Sequence, residues 1–363
     1  MKRGCVIGYD INEKGCQISY YDDSMEEPDT MMASSNNYLI PLVLGYFKDR
    51  WVFGKEAKRL AVVGEDCTET DLYGKAKRRE KVSLAGKTYD AVWLLAKYIS
   101  LTLQDFENIQ YLTFTTPETD VDMAKMLKGI GQHIGVDKEI INVQDYKESF
   151  CQYMIFQPKE LWQYESALFY CDEDRIKAYM LRRLRVDASH GMNSFVTVDE
   201  VANAQRKELE ALYPIMNKEK SPDESFKSMI ENVFEKKVIS SVYLTGEGFE
   251  KNWYPNSLRV LCNGRRAFMG NNLYSKGACY KSIRKCEPND DGPIYLDETK
   301  LTERICLRMR VDGQEGWYPL VTWGTHWYEA DGQWEVLLED ASDIEILVES
   351  LVDEEVQVEK VSL

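Results

Sequence analysis

Histidine is the scarcest informative residue. Only His133, His190 and His326 occur in 363 residues, and none is spaced with a cysteine as a zinc site requires. Cysteine is present nine times, at positions 5, 16, 67, 151, 171, 262, 279, 286 and 306, yet no C-x-x-C pair is formed. The odd number and the apolar settings of several thiols argue against a disulfide scaffold and for a reducing compartment. Basic excess is also missing. Forty-five Lys and Arg face 61 Asp and Glu, a net charge of −16. Such a chain cannot displace counterions along a phosphate backbone, which excludes nucleic acid as a general partner. Long apolar runs are absent too, the stretch from Leu39 to Phe47 being far short of the ~20 residues of a membrane helix. The opening Met-Lys-Arg-Gly-Cys-Val-Ile-Gly has too short an apolar stretch for a signal peptide. Together these features lead us to expect a cytoplasmic protein with no membrane partner.

What is present suits real cores: 44% of residues are hydrophobic and 12% aromatic, in a length that favours two or three domains. Cys5 to Asp10 alternates as a strand, turns through Asn12 to Gly15 and resumes as Cys16 to Tyr21, a β-hairpin. Asp90 is placed to cap a helix running to about Leu103. Tyr111 to Thr116 reads as a strand, Asp120 to Ile134 as a helix and Glu139 to Val143 as a strand. That βαβ spacing implies a partly parallel sheet. A second hairpin is expected at 167–170 and 176–181, turning through Asp172-Glu-Asp-Arg175. Ser221-Pro-Asp-Glu224 is a capping box with proline in the first turn, and the strand Val242 to Leu244 leads into Thr245-Gly-Glu-Gly248 and two helices. Beyond Asp290 come short alternating strands at Ile305–Val311, Tyr318–Trp323, Trp334–Leu338 and Ile344–Val348, the mark of a small all-β domain.

This order of parts resembles the superfamily of actin and the DnaK-type heat-shock chaperones. Val6-Ile-Gly-Tyr-Asp10 is similar to that family's first phosphate loop, and Thr113-Phe-Thr-Thr-Pro117 to its strand and crossover. Asn142-Val-Gln-Asp-Tyr-Lys-Glu-Ser-Phe-Cys-Gln-Tyr153 resembles the segment with the catalytic acid, which puts Asp145 at the acid's place. The hairpin at 167–181 takes the position of the second phosphate loop. Tyr243-Leu-Thr-Gly-Glu-Gly248 resembles the adenosine-motif turn, Tyr274-Ser-Lys-Gly-Ala278 the helix after it, and Trp317-Tyr-Pro-Leu-Val-Thr-Trp-Gly-Thr325 the opening of the chaperone's substrate domain. The resemblance implies an α/β, two-lobed nucleotide-binding fold with a small all-β C-terminal domain. Lobe I would span 1–162, lobe II 163–288 and the β domain 289–363.

It also implies roles. Asp10 and Asp172 would hold Mg²⁺, Asp10, Asn12, Asp172, Gly246, Gly248 and Gly277 would hold ATP, and Asp145 and Lys77 would serve catalysis, with Lys75 as alternative to Lys77. In this fold, turns grip phosphates with backbone N–H groups, so glycine and hydroxyl residues are needed there. Here the turns depart from the pattern. Asn12, Glu13 and Lys14 stand in the first, Glu173, Asp174 and Arg175 in the second, and Glu247 replaces a glycine. Carboxylates facing an anionic ligand imply a degenerate site that binds ATP and Mg²⁺ weakly or not at all. The expectation is a nucleotide sensor or scaffold, with a protein or peptide partner on the C-terminal β domain. An active ATP-dependent chaperone and a small-metabolite kinase are the alternatives.

Overall fold

The computed structural model describes residues 4–34, 37–63, 67–173, 175–184, 194–205, 221–286, 292–330, 335–337, 343–351 and 356–362. The chain divides into two compact units, Met1–Tyr179 with Glu200–Asp290, and Met180–Asp199 with Asp291–Leu363.

The first unit opens with β1 (Cys5–Ile11), β2 (Gly15–Tyr21), β3 (Asp29–Thr30) and β4 (Ile40–Pro41). β5 (Leu44–Phe47), β6 (Arg50–Phe53), helix α1 (Gly54–Val63) and β7 (Thr68–Glu69) follow. Then come α2 (Leu72–Lys77), the hairpin β8 (Lys81–Leu84) and β9 (Lys87–Asp90), and α3 (Ala91–Thr102). The βαβ unit read from the sequence is β10 (Ile109–Thr116), α4 (Val121–His133) and β11 (Ile141–Asp145), leading directly into α5 (Tyr146–Ile155). The start of the second expected strand moves from Glu139 to Ile141, because residues 138–140 form a 3-10 turn capped by Asp137. Asp90 accepts from the backbone N–H of Val92 and Trp93, and Asp120 from that of Met123, so both helices start where a carboxylate meets their orphan donors.

Next are β12 (Glu165–Cys171), β13 (Arg175–Leu184), β14 (Phe195–Gln205), α6 (Pro222–Phe234), β15 (Ile239–Thr245), α7 (Pro255–Leu261), β16 (Arg266–Met269) and α8 (Leu273–Cys286). Ser221 caps α6 by accepting from Glu224 N–H, with Pro222 in the first turn. The long strands β13 and β14 are shared between the units, their Arg175–Tyr179 and Glu200–Gln205 parts belonging to the first.

The two large sheets repeat one strand order. In the first, the order is β3-β2-β1-β10-β11, with β10 and β11 parallel to β1 and β2 antiparallel to it. In the second it is β14-β13-β12-β15-β16, with β15 and β16 running parallel to β12. Each sheet is thus a run of three consecutive strands extended on its first strand by two later parallel ones. β1 is buried along nearly its whole length. Helix α8 lies so close to it that a Cβ on Gly8 would stand 2.1 Å from the Ser275 carbonyl oxygen. Among the described residues no helix is long and apolar enough to cross a membrane.

The second unit holds the start of β14 paired in parallel with β17 (Ile294–Tyr295). It continues with an all-antiparallel sheet of order β19-β18-β20-β21, made of β18 (Glu303–Val311), β19 (Gln314–Val321), β20 (Asp343–Ser350) and β21 (Val356–Ser362). Its core is Phe195, Leu296 and Trp323, flanked by Ile294 and Leu351. On one sheet face Arg304 pairs with Glu349, and both Arg308 and Lys360 pair with Glu345. One sequence expectation changes here. Glu335–Leu337 forms no strand, the flanking Trp334 and Leu338 lying outside the described residues, and the last strand is the charged β21 instead. Trp323 is buried in the core, while Trp317 and Trp327 are exposed.

Candidate functional site

β1 delivers Asp10 to the end of the first sheet, paired with Thr115 on β10 and Gln17 on β2. Only 4% of Asp10 is exposed. Its Oδ1 accepts a hydrogen bond from the Tyr146 hydroxyl at 2.8 Å, and that hydroxyl accepts one from Asn12 Nδ2 at 2.9 Å. Burial pushes the Asp10 carboxyl up to about 7, against the smaller downward pull of the Tyr146 hydrogen bond. Asn12 also closes its own turn, its Oδ1 accepting from the backbone N–H of Lys14 and Gly15.

Tyr146 is held there by the way α5 begins. β11 ends in Asp145, which accepts from Glu148 N–H at 2.8 Å and so caps the helix, leaving Tyr146 as its first residue. Lys147 lies 4.0 Å from the same carboxylate. The Tyr146 ring stacks on Tyr274, at the start of α8, with centroids 3.7 Å apart and planes 7° from parallel. Tyr274 is buried and its hydroxyl has no hydrogen-bond partner among the described residues. Desolvation lifts both phenols well above their ordinary range.

Further tyrosines converge on the same carboxylate. The Tyr170 phenol is raised by burial first and then by the charges of Asp172, Asp10 and Glu247. That of Tyr73, on α2, is raised by burial and then by Asp10 and Glu13. The charges of Asp172, Asp10 and Glu247 thus all bear on Tyr170, and those of Asp10 and Asp145 on Tyr274. Of the expected site residues, Asp10 and Asn12 are joined through the Tyr146 hydroxyl.

The remaining expected residues have clear local partners. Asp172 begins the β12–β13 turn, where its Oδ1 accepts from Arg175 N–H at 2.7 Å. Gly246 has φ +95°, and a Cβ there would stand 2.2 Å from the Cys171 carbonyl oxygen. At Gly248 a Cβ would meet the Cys171 Sγ at 2.2 Å, and at Gly277 the Ser149 carbonyl oxygen at 1.9 Å. These glycines allow a loop to close on β12 and α8 to cross α5. Lys77 is exposed at the end of α2, and Lys75 pairs with Glu69 at 2.8 Å. Lys14, at the tip of the first hairpin, forms an ion pair with Glu247. Among the described residues no group of three or more metal-ligating side chains is assembled.

Sequence reasoning missed Tyr146, Tyr274 and the Lys14–Glu247 pair. The signal for Tyr146 was its place directly after the capping Asp145. Nothing local announced Tyr274 as its stacking partner.

Residues 27–298 match the family described as "Family of unknown function (DUF5716) C-terminal". The chain belongs to that family. Residues 300–363 match a second description, "Domain of unknown function (DUF8552)". No curated protein matches the sequence. The DUF5716 match takes in Asp145, Tyr146, Asp172 and Tyr274 and begins after β1, so Asp10 and Lys14 lie outside it.

Proposed function

We propose that this chain is a member of the actin and DnaK-type chaperone superfamily whose nucleotide cleft is filled by its own side chains, leaving the two lobes to act as a scaffold for a protein partner. The repeated strand order supports the two-lobed part of this reading, each lobe being one sheet with its crossover helices. The observation that carries the functional part is the stacked Tyr146–Tyr274 pair, whose first hydroxyl takes the Asp10 carboxylate that a magnesium nucleotide would need. A carboxyl that holds its proton until about pH 7 is a poor partner for water-bound Mg²⁺. Gly246, Gly248 and Gly277 are packed against backbone or thiol, and Lys14 is engaged by Glu247. The donor set does not fit ATP with Mg²⁺, since catalysis in such folds rests on positioning and on stabilising phosphoryl charge.

The partner would be a protein or peptide taken up by the C-terminal β sheet, where β21 is exposed along its whole length and pairs only with β20 among the described strands. An extended segment can add to such an edge through backbone hydrogen bonds.

Titration of the protein with ATP and Mg²⁺ by calorimetry, with phosphate release followed in parallel, tests the reading. The expected result is no turnover above background and no heat of binding. Binding without turnover would make the cleft a sensor. Turnover abolished by Asp10→Ala would overturn the proposal in favour of an active chaperone-like ATPase.

A further inference from the structure

Helix α1 has one face committed to its own fold and one that is not. Ala57 is fully buried, with Leu60 and Ala61 packed beside it on Val43 and Val52. On the other side Lys55, Lys58, Arg59, Val62 and Val63 line an open hollow of about 470 Å³. Val62 is 83% and Val63 76% exposed, high values for adjacent valines on an ordered helix. The carboxylate on α1, Glu56, is taken by Arg50. None of the ion pairs among the described residues involves Lys55, Lys58 or Arg59. The result is an apolar floor with a rim of three uncommitted cations, in a chain whose net charge is −16.

The charge distribution points to what covers it. Residues 291–363 hold 18 Asp and Glu against 5 Lys and Arg, so most of the chain's net negative charge of −16 lies in this fifth of its length. That segment also exposes apolar side chains among its acids. Leu337 is 98% exposed, next to the exposed Glu335, and on β21 Val356 is 61% and Val358 52% exposed, with the exposed Glu359 on that strand's other face. A basic helix face with an apolar floor and an acidic segment with exposed apolar side chains are complementary in both charge and hydrophobicity. Three cations are too few to hold nucleic acid at ordinary salt. An anionic lipid surface would repel a chain of this net charge.

We propose that the α1 face of one molecule binds the acidic C-terminal segment of a second copy, which exposes Glu335, Leu337 and strand β21. Each copy then offers one donor and one acceptor surface, a heterologous contact that can add further copies. The inference does not depend on whether the cleft binds nucleotide.

Sedimentation velocity on the full chain over a wide concentration range tests it. The wild type is expected to self-associate, with affinity falling at least ~10-fold between 50 and 500 mM salt. Lys55→Glu/Lys58→Glu/Arg59→Glu and, separately, Glu335→Lys/Glu359→Lys should each weaken association by about 10-fold or more. Mixing the two variants should restore it, because the mutated surfaces are again opposite in charge. All the changes lie at exposed positions, and circular dichroism verifies that each variant is folded. A wild type that stays monomeric at every concentration overturns the proposal, as does association that neither variant alters. Flotation with phosphatidylserine vesicles is the remaining arm, and vesicle binding that needs the three α1 cations without any self-association would also overturn it.

Discussion

A carboxylic acid shut away from water beside a phenol has a measurable signature in the pH dependence of folding. The unfolded value for aspartate is about 3.9, whereas burial lifts Asp10 to about 7. Between those values the folded chain keeps a proton that the unfolded chain has released. The stability contributed by this group is therefore full below about pH 4 and lost as pH rises through 7. For a fully buried group the loss is on the order of 4 kcal/mol. Asp10→Asn abolishes the titration while preserving shape. The stability of the wild type minus that of Asp10→Asn, from urea unfolding at a series of pH values, should fall by roughly 4 kcal/mol between pH 4 and pH 8. Parallel curves would show that Asp10 is not desolvated. Tyr146→Phe keeps the stack on Tyr274 but leaves Asp10 and Asn12 each one hydrogen bond short. It should cost about 1–3 kcal/mol at pH 8, read from the same denaturation midpoints.

Helices in this protein are fixed by their ends and by glycine seats. Removing the Ser221 hydroxyl that accepts from Glu224 N–H should cost α6 about 1 kcal/mol, visible as a lower urea midpoint for Ser221→Ala. Gly277→Ala is a sharper test, because its methyl would meet the Ser149 carbonyl, which is backbone and cannot turn aside. A loss of about 3 kcal/mol or more is expected, with unfolding followed by circular dichroism. The contrast explains what could be read in the sequence. Asp90, Asp120 and Ser221 bond to groups two or three residues away, so the letters alone locate those helix starts. Gly277 reads as a residue that needs closeness, but what it is close to lies on another helix. Likewise Asn12 and Tyr146 are 134 positions apart, and only the parallel pairing of β1, β10 and β11 brings them together. The edge strand β16 escaped notice because Arg266–Met269 is only four residues long and carries no alternation.

Across the whole molecule, long-range pairing decides more than local pattern. The strand order that recurs in the two large sheets was visible in the sequence only as a βαβ unit and two hairpins, since no sequence repeat accompanies it. The second unit shows the same dependence, drawing a core cluster from Phe195, Leu296 and Trp323, with Leu351 packed against it. Trp323 also lies edge-on to Phe195 and under the Arg304 guanidinium, 4.5 Å from its ring centroid. Trp323→Ala should cost that unit about 3–5 kcal/mol, with loss of near-ultraviolet dichroism as the readout. An unchanged melting profile would mean that this small core does not hold the sheet.

The seating of α8 on β1 also bears on how the chain is made. Ser282 donates to the Ile7 carbonyl, and the Ser19 hydroxyl meets that of Ser275 across 256 positions of sequence. One side of β1 thus has its cover among the last residues of the same unit. At roughly 5–20 residues per second the wait is on the order of 10–50 s. During that interval Val6 and Ile7 have no native lid, and nascent chains of this protein should depend on chaperones until α8 emerges.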